Sequence, residues 1–228
     1  MKAHSLPTWQ AYADQTPGFA DNASTAPPRM EWGTSPGVGP GAEMLGPAIR
    51  DREILELGCG PGHHAAHLAS QHGGRVMAVD MVKTQIRRAN ERYGKVDGVT
   101  FVAHEAAAYL RSQRRRFSVI YSVFGAVGLV DPDCLLPLIA RRLRSQGRLV
   151  FSVPHPQRTG GTATLGRTSA RQDWLTLPDG TRHPLWRWEL GVADWSAALS
   201  RHGLRLVRHQ SLQDPGRPPT LLVMARRN

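Results

Sequence analysis

Cysteine is scarce: Cys59 and Cys134 are the only two among 228 residues. That is too few for a disulfide framework or for the Cys/His cluster of a structural zinc site. No apolar run approaches the roughly 18 residues that a membrane span needs. The opening MKAHSLPTWQ lacks the apolar segment of a signal peptide, so a cytoplasmic location is expected. Acid is also scarce, 18 residues against 29 basic ones, for a formal net charge of +11. Such a charge suggests an anionic partner such as nucleic acid. Only Lys2, Lys83 and Lys95 are lysines, however, and the arginines fall in separate stretches: Arg87, Arg88 and Arg92; Arg111 and Arg114 to Arg116; Arg141, Arg142 and Arg144; Arg226 and Arg227. The sequence therefore reads them as solvated helix faces, with nucleic acid disfavoured as a partner.

The length suits one domain with additions. Residues 1–50 are rich in Pro and Gly after a short amphipathic start (Leu6, Trp9, Tyr12), and Pro36-Gly37-Val38-Gly39-Pro40-Gly41 reads as turns. This stretch is expected to be an extension or lid on a domain covering residues 51–228. From Glu53, short apolar runs alternate with helical patterns. Strands are predicted at Glu53–Leu57, Arg75–Val79, Val99–Ala103, Phe117–Val123 and Gly147–Val153, with helices at His63–His72, Lys83–Tyr93, Ala106–Arg111 and Pro132–Arg144. That alternation implies a parallel sheet covered by helices on both faces. The rhythm breaks over about 154–190, where prolines, glycines and tryptophans show no clean period, as in a cap insertion. A helix at Val192–His202, ended by Gly203, and a hairpin of Leu204–Gln210 with Thr220–Ala225 follow.

The most informative stretch is Glu56-Leu57-Gly58-Cys59-Gly60-Pro61-Gly62, an apolar strand running into three glycines at alternate positions and then a helix. Without β-carbons the chain turns sharply and a ligand can lie against the main chain, next to the free N–H groups of the helix start. The spacing departs from the G-x-G-x-x-G dinucleotide fingerprint, which disfavours NAD. Asp80 closes the second strand, where a carboxylate can accept from both hydroxyls of a ribose. The ligand is thus expected to contain a nucleoside.

This glycine motif resembles the first motif of the class I S-adenosylmethionine-dependent methyltransferases. Asp80 is similar to their second-motif acid, Phe101-Val102-Ala103-His104-Glu105-Ala106 to their third motif, Phe117 to Phe124 to their fourth, and Leu143 to Ser152 to their later turn and strand. The resemblance covers about residues 50–153. It implies a Rossmann-like, doubly wound sheet of seven mostly parallel strands with an antiparallel last strand, and S-adenosylmethionine as cofactor, leaving S-adenosylhomocysteine as product. It further implies that Glu56, Gly58, Cys59, Gly60 and Gly62 face the methionine part and Asp80 the ribose. Met81 would pack on the adenine, with Glu105 and the Ala106 amide at its polar edge and Ser122 nearby. The family more often has Asp where Glu105 stands, and an acid where Ser118 stands.

Methyl transfer is an in-line displacement, so alignment is the main task; a base is needed only for a hydroxyl or a protonated amine. Open α/β sheets place substrates at the carboxyl ends of strands, which points to Ser122, Phe124 and His155. His155, between Pro154 and Pro156, is the candidate base. His63 and His64 read as helix-surface residues or polar neighbours of the cofactor, and His104 as a strand-end residue. Trp9, Tyr12 and Trp32, with Trp174, Trp186 and Trp188, can form an aromatic lid over a flat acceptor. Trp9, Tyr12, Trp32, Phe124 and Trp186 are the candidate substrate contacts. Asp131 and Asp133 lie near the fourth strand, but Asp131-Pro132 reads as a helix start, so no metal is expected. The reading is a methyltransferase acting on O or N of a small aromatic or heterocyclic metabolite, in specialised metabolism. An RNA or protein methyltransferase, or a cofactor-binding protein without turnover, is the alternative. The segment Ser122-Val123-Phe124-Gly125 lacks the Asn/Asp-Pro-Pro-aromatic element of base amino-methylases, and no Pro-Cys nucleophile is present. The oligomeric state is left open, a homodimer included.

Overall fold

The computed structural model describes residues 5–16, 25–159, 170–213 and 216–228. In chain order the elements are α1 (Leu6–Gln15), β1 (Glu53–Leu57), α2 (His63–His72), β2 (Arg75–Asp80), α3 (Lys83–Tyr93), β3 (Val99–Ala103), α4 (Ala106–Ser112), β4 (Phe117–Val123), α5 (Pro132–Arg142), β5 (Leu143–Pro154), β6 (Arg171–Thr176), β7 (Arg182–Arg187), α6 (Val192–Arg201), β8 (Leu204–Leu212) and β9 (Thr220–Arg227). Local chemistry sets many of the boundaries. The Asp131 carboxylate accepts from the Asp133 amide at the start of α5, with Pro132 in the first turn. Helix α2 ends at Gly73, whose φ of 64° is left-handed and whose N–H donates to the Ala69 carbonyl, while the Gly74 N–H donates to the Leu68 carbonyl.

A seven-stranded sheet runs in the order β3-β2-β1-β4-β5-β9-β8. The first five strands are parallel, and β9 is antiparallel to both β5 and β8. Strand β1 is buried over its last four residues, as befits a central strand covered on both faces. One face packs Leu55, Ile120, Leu149 and Phe151 beneath α4, α5 and the Trp195 ring of α6. The other packs Ile54, Val119, Tyr121 and Val150 with residues of α2 and α3. On that second face Met30 and Trp32 are fully buried, so the segment before β1 adds to the core. The strand order reverses between β1 and β4, and ligands in such sheets bind in the crevice outside this point.

Most boundaries agree with the sequence reading to within two residues; the largest departure is at one junction. Helix α5 stops at Arg142, and β5 begins at Leu143 instead of Gly147. The register with β4 slips between Phe117 and Val119, and Gln146 adopts a φ of 59°, so residues 144–147 form an irregular start to the strand that no glycine or proline announces at Leu143. The described part of the cap contains a second sheet, the antiparallel pair β6 and β7. Its strands are exposed at most positions and so leave no alternation to detect. Among the described residues, no helix is long and apolar enough to cross a membrane.

Candidate active site

A cavity of about 820 Å³ opens at the carboxyl ends of β1, β2, β3 and β4. Its floor is the loop after β1. The Gly58 and Cys59 amides both donate to the Val79 carbonyl, at 2.8 and 3.1 Å, tying the loop to the end of β2. Gly58 has a φ of 80°, and a β-carbon there would lie 2.7 Å from the Gly125 Cα, so glycine is needed for loop and β4 turn to meet. Gly60, at φ 51°, would place a β-carbon within 4 Å of no protein atom: the space beside it is open.

Asp80 leaves β2 beneath this loop. One carboxylate oxygen accepts from the Gly60 amide and the other from the Val82 amide, both at 2.8 Å. Burial raises its pKa above the ordinary carboxylate value against those two amides. Each oxygen keeps a lone pair, so a hydroxyl-bearing ligand can complete the shell. Glu56, in register with Tyr121 across the β1–β4 switch, is 1% exposed. Its Oε1 lies 3.8 Å from His64 Nδ1, and its Oε2 is buried with no hydrogen-bond partner among the described residues. Burial drives its pKa up, opposed by His64 and by the Tyr121 hydroxyl. A buried carboxylate oxygen at the cavity wall is costly unless a donor or cation meets it. Burial, followed by the charges of Asp80 and Glu56, pushes the Cys59 thiol well up, so it stays protonated.

Glu105 caps α4: its two oxygens accept from the Ala107 and Ala108 amides at 2.8 and 2.7 Å. This capping role accounts for the residue on structural grounds, while Glu105 and Ala106 still line the cavity with Met81. The roof is α1. Its Thr8 hydroxyl donates to the Pro184 carbonyl at 2.8 Å, Gln10 bonds Thr84 at 3.0 Å, and Arg88 from α3 donates to the Ala13 and Thr16 carbonyls. The helix thus bridges α3 and the β6–β7 hairpin. Trp9 and Tyr12, edge to face at 5.8 Å, line the cavity with Trp186 and Trp188. The Trp9 indole nitrogen is buried without an acceptor among the described residues. Phe124 lines the β4 side with a left-handed φ of 48°, an uncommon conformation for an aromatic residue.

Several candidates fall elsewhere. Trp32 is not a lid residue: it is fully buried, donates to the Gly41 carbonyl at 2.9 Å and stands edge to face against Tyr121. Ser122 is spent inside the fold, donating to the Leu57 carbonyl at 2.7 Å and accepting from the Val127 amide. Gly62 is a packing glycine at φ 83°, where a β-carbon would run into the Phe101 ring. His155 lies outside the cavity wall; its amide donates to the Pro219 carbonyl and its Nδ1 accepts from the Gln157 amide at 3.2 Å. Burial lowers its pKa, but it faces no reacting group there. Trp174 is exposed beneath the Arg182 guanidinium and does not line the cavity. The cavity wall also includes Trp188 of the expected lid, His63, His64 and His104, and gains Gln85. For His63 and His64 the sequence signal was their place directly after the glycine loop. Among the described residues, no group of three His, Cys, Asp or Glu is arranged to hold a metal.

Residues 54–147 match the methyltransferase-domain family. O-methyltransferase resE of Aspergillus sclerotiorum is 30% identical over 103 residues, 44% of this chain and 39% of that protein. Methyltransferase GfsG of Streptomyces halstedii is 30% identical over 103 residues, 44% of this chain and 37% of that protein. The chain spans well under two thirds of the length of these curated relatives. Among solved structures, a Listeria monocytogenes protein described as a putative S-adenosylmethionine-dependent methyltransferase superposes with a TM-score of 0.63 at 20% identity, over 82% of this chain and 95% of that one. The Burkholderia thailandensis 1,6-didemethyltoxoflavin-N1-methyltransferase gives 0.56 at 22% identity, over 78% and 72%. With the strand order, the glycine loop and the acid after β2 in place, residues 54–147 match a methyltransferase-domain family, and the chain has the fold of these methyltransferase structures.

Proposed function

We propose that the chain methylates an oxygen or nitrogen of a small aromatic or heterocyclic acceptor, using S-adenosylmethionine, in specialised metabolism. The observation that carries this reading is one cavity in which the Asp80 carboxylate and the Gly58–Gly60 loop meet a roof of Trp9, Tyr12, Trp186 and Trp188. At about 820 Å³ it stands at the upper end of small-molecule pockets, which suits a nucleoside cofactor and a flat acceptor together. When bound, S-adenosylmethionine supplies a methyl group already activated on a sulfonium.

The residues on the wall fit that group. Asp80 has lone pairs for two ribose hydroxyls, and the open space at Gly60 admits a ligand to the main chain. The unpartnered Glu56 oxygen offers negative charge to a cationic ligand. The apolar roof keeps water from the reacting atoms and packs a planar acceptor, while the Trp9 N–H is a ready donor to it. Alignment is the larger share of the work. For a hydroxyl acceptor, His64 backed by the buried Glu56 is better situated than His155 to take the proton. The curated relative named as an O-methyltransferase supports oxygen as one acceptor atom.

Calorimetry with S-adenosylmethionine and S-adenosylhomocysteine tests the reading. The wild-type protein should bind both, and Asp80→Ala should lose about 1–3 kcal/mol of affinity, the worth of hydrogen bonds to a charged group. Absence of binding by the wild-type protein overturns the function; equal binding by Asp80→Ala overturns the ribose assignment.

A further inference from the structure

Folding gathers arginines that are far apart in sequence. Strands β4, β5 and β8 begin, and β9 ends, at the sheet edge opposite the cavity. There Arg148 of β5 is paired in register with Arg226 of β9, and Arg226 with Arg205 of β8. Three arginines thus form a ladder across three adjacent strands, with rungs about 4.8 Å apart on one face. Like charges directly opposite one another repel. None of the three is ion-paired with a carboxylate among the described residues. The Arg226 Nε is buried with no hydrogen-bond partner there, and the best contact of Arg148 is a weak one to the Met224 sulfur at 3.7 Å. Burial and the neighbouring Arg226 hold the Arg148 guanidinium below its ordinary value.

The turns at the same end of the sheet carry further arginines, Arg142 among them on the α4–α5 side opposite the ladder. Arg142 donates to the Leu110 carbonyl at 2.8 Å and Arg144 to the Arg116 carbonyl at 3.4 Å, so these guanidinium groups rest on main-chain oxygens and keep further N–H donors. Of the acids, Glu43 lies in the field of Arg29 and Arg208, and Asp133 pairs with Arg201 and His202. Of the large exposed apolar side chains, only Val207 is at this edge. A protein–protein interface would need an apolar centre, whereas a surface of guanidinium groups without one suits a wet, phosphate-dominated contact.

We propose that this edge binds the phosphodiester backbone of a nucleic acid through Arg116, Arg142, Arg144, Arg148, Arg205 and Arg226. Four strands span about 15 Å, and each strand of a duplex carries a phosphate about every 3.4 Å, so about four phosphates lie within reach. The nucleic acid is an anchor here and not the methyl acceptor. The seven residues of β4 separate the edge from the cavity by about 20 Å.

Fluorescence anisotropy with a labelled 20-base-pair DNA duplex tests this directly. Four phosphate contacts predict a slope of log affinity against log salt of about −3.6. The double variant Arg144→Glu/Arg205→Glu should bind at least tenfold more weakly with a flatter slope, at unchanged melting temperature. The charge-matched Arg87→Glu/Arg182→Glu, away from this edge, should bind at least fivefold more tightly than that double variant. No binding at 50 mM salt, or equal losses in the two variants, overturns the proposal. Displacement of the duplex by poly-glutamate at equal charge concentration also overturns it, in favour of an acidic protein partner.

Discussion

His63 carries a pH dependence that can be measured without knowing the acceptor. Burial, then the neighbouring His64 and Arg92, lowers its pKa from 6.5 to about 4, and its Nδ1 sits 2.8 Å from the Tyr93 hydroxyl. The unfolded chain, with the ordinary value, takes up its proton first as pH falls. The stability that neutral His63 contributes is therefore whole above about pH 6.5 and is lost towards pH 4, roughly 3 kcal/mol in all. His63→Gln should show a smaller drop in urea midpoint between pH 7.5 and pH 4.5 than the wild-type protein. An equal drop would place the acid sensitivity elsewhere. The same scale shows where reading residues one at a time stops. The place of Asp80 beside the cavity was legible because its position at a strand end fixes both its depth and its neighbours. His155, Ser122 and Trp32 were not, because whether a side chain beside the site points into it depends on contacts with Pro219, Leu57 and Gly41 that lie far off in sequence.

The glycine loop separates two duties that its motif runs together. Gly60 faces open space, and Gly62 faces the Phe101 ring and the Ala89 methyl. Gly60→Ala should cost about 1–2 kcal/mol of stability for its left-handed backbone while weakening S-adenosylhomocysteine binding at least tenfold. Gly62→Ala should cost about 2–4 kcal/mol through backbone strain and overpacking, with the affinity of the folded protein nearly unchanged. Denaturant titration alongside calorimetry distinguishes them, and the reverse pattern would exchange their roles. At this scale the strands and helices of residues 53–123 were legible from period and caps. The β6–β7 hairpin was not, because it is held less by an apolar face than by ions: Arg158 joins Glu189 and lies 2.8 Å from Asp173, which Arg187 meets at 2.7 Å. Arg158 thus braces the cap.

For the molecule as a whole, the net charge of +11 looked diffuse in the sequence because its contributors are spread over more than a hundred positions. The topology brings six of the arginines together, since a mostly parallel sheet brings most of its strand starts to one edge. The same sheet puts the carboxyl ends of β1 to β4 around the cavity, so two opposite poles acquire different chemistry from one connectivity.

That connectivity also orders events in time. Strand β9 lies between β5 and β8, yet its residues are synthesised after both. Until residues 220–227 leave the ribosome, β5 shows one unpaired edge, and β8 has no partner in the sheet at all. The nascent chain therefore carries exposed strand edges of the kind that invite misassembly, and completion of the sheet waits for the long-range pairing of β9 with β5. A chain ending at residue 213 should show no cooperative melting transition and should bind a hydrophobic dye strongly. A sharp calorimetric transition in that fragment would mean that β1 to β5 hold together without the closing strand.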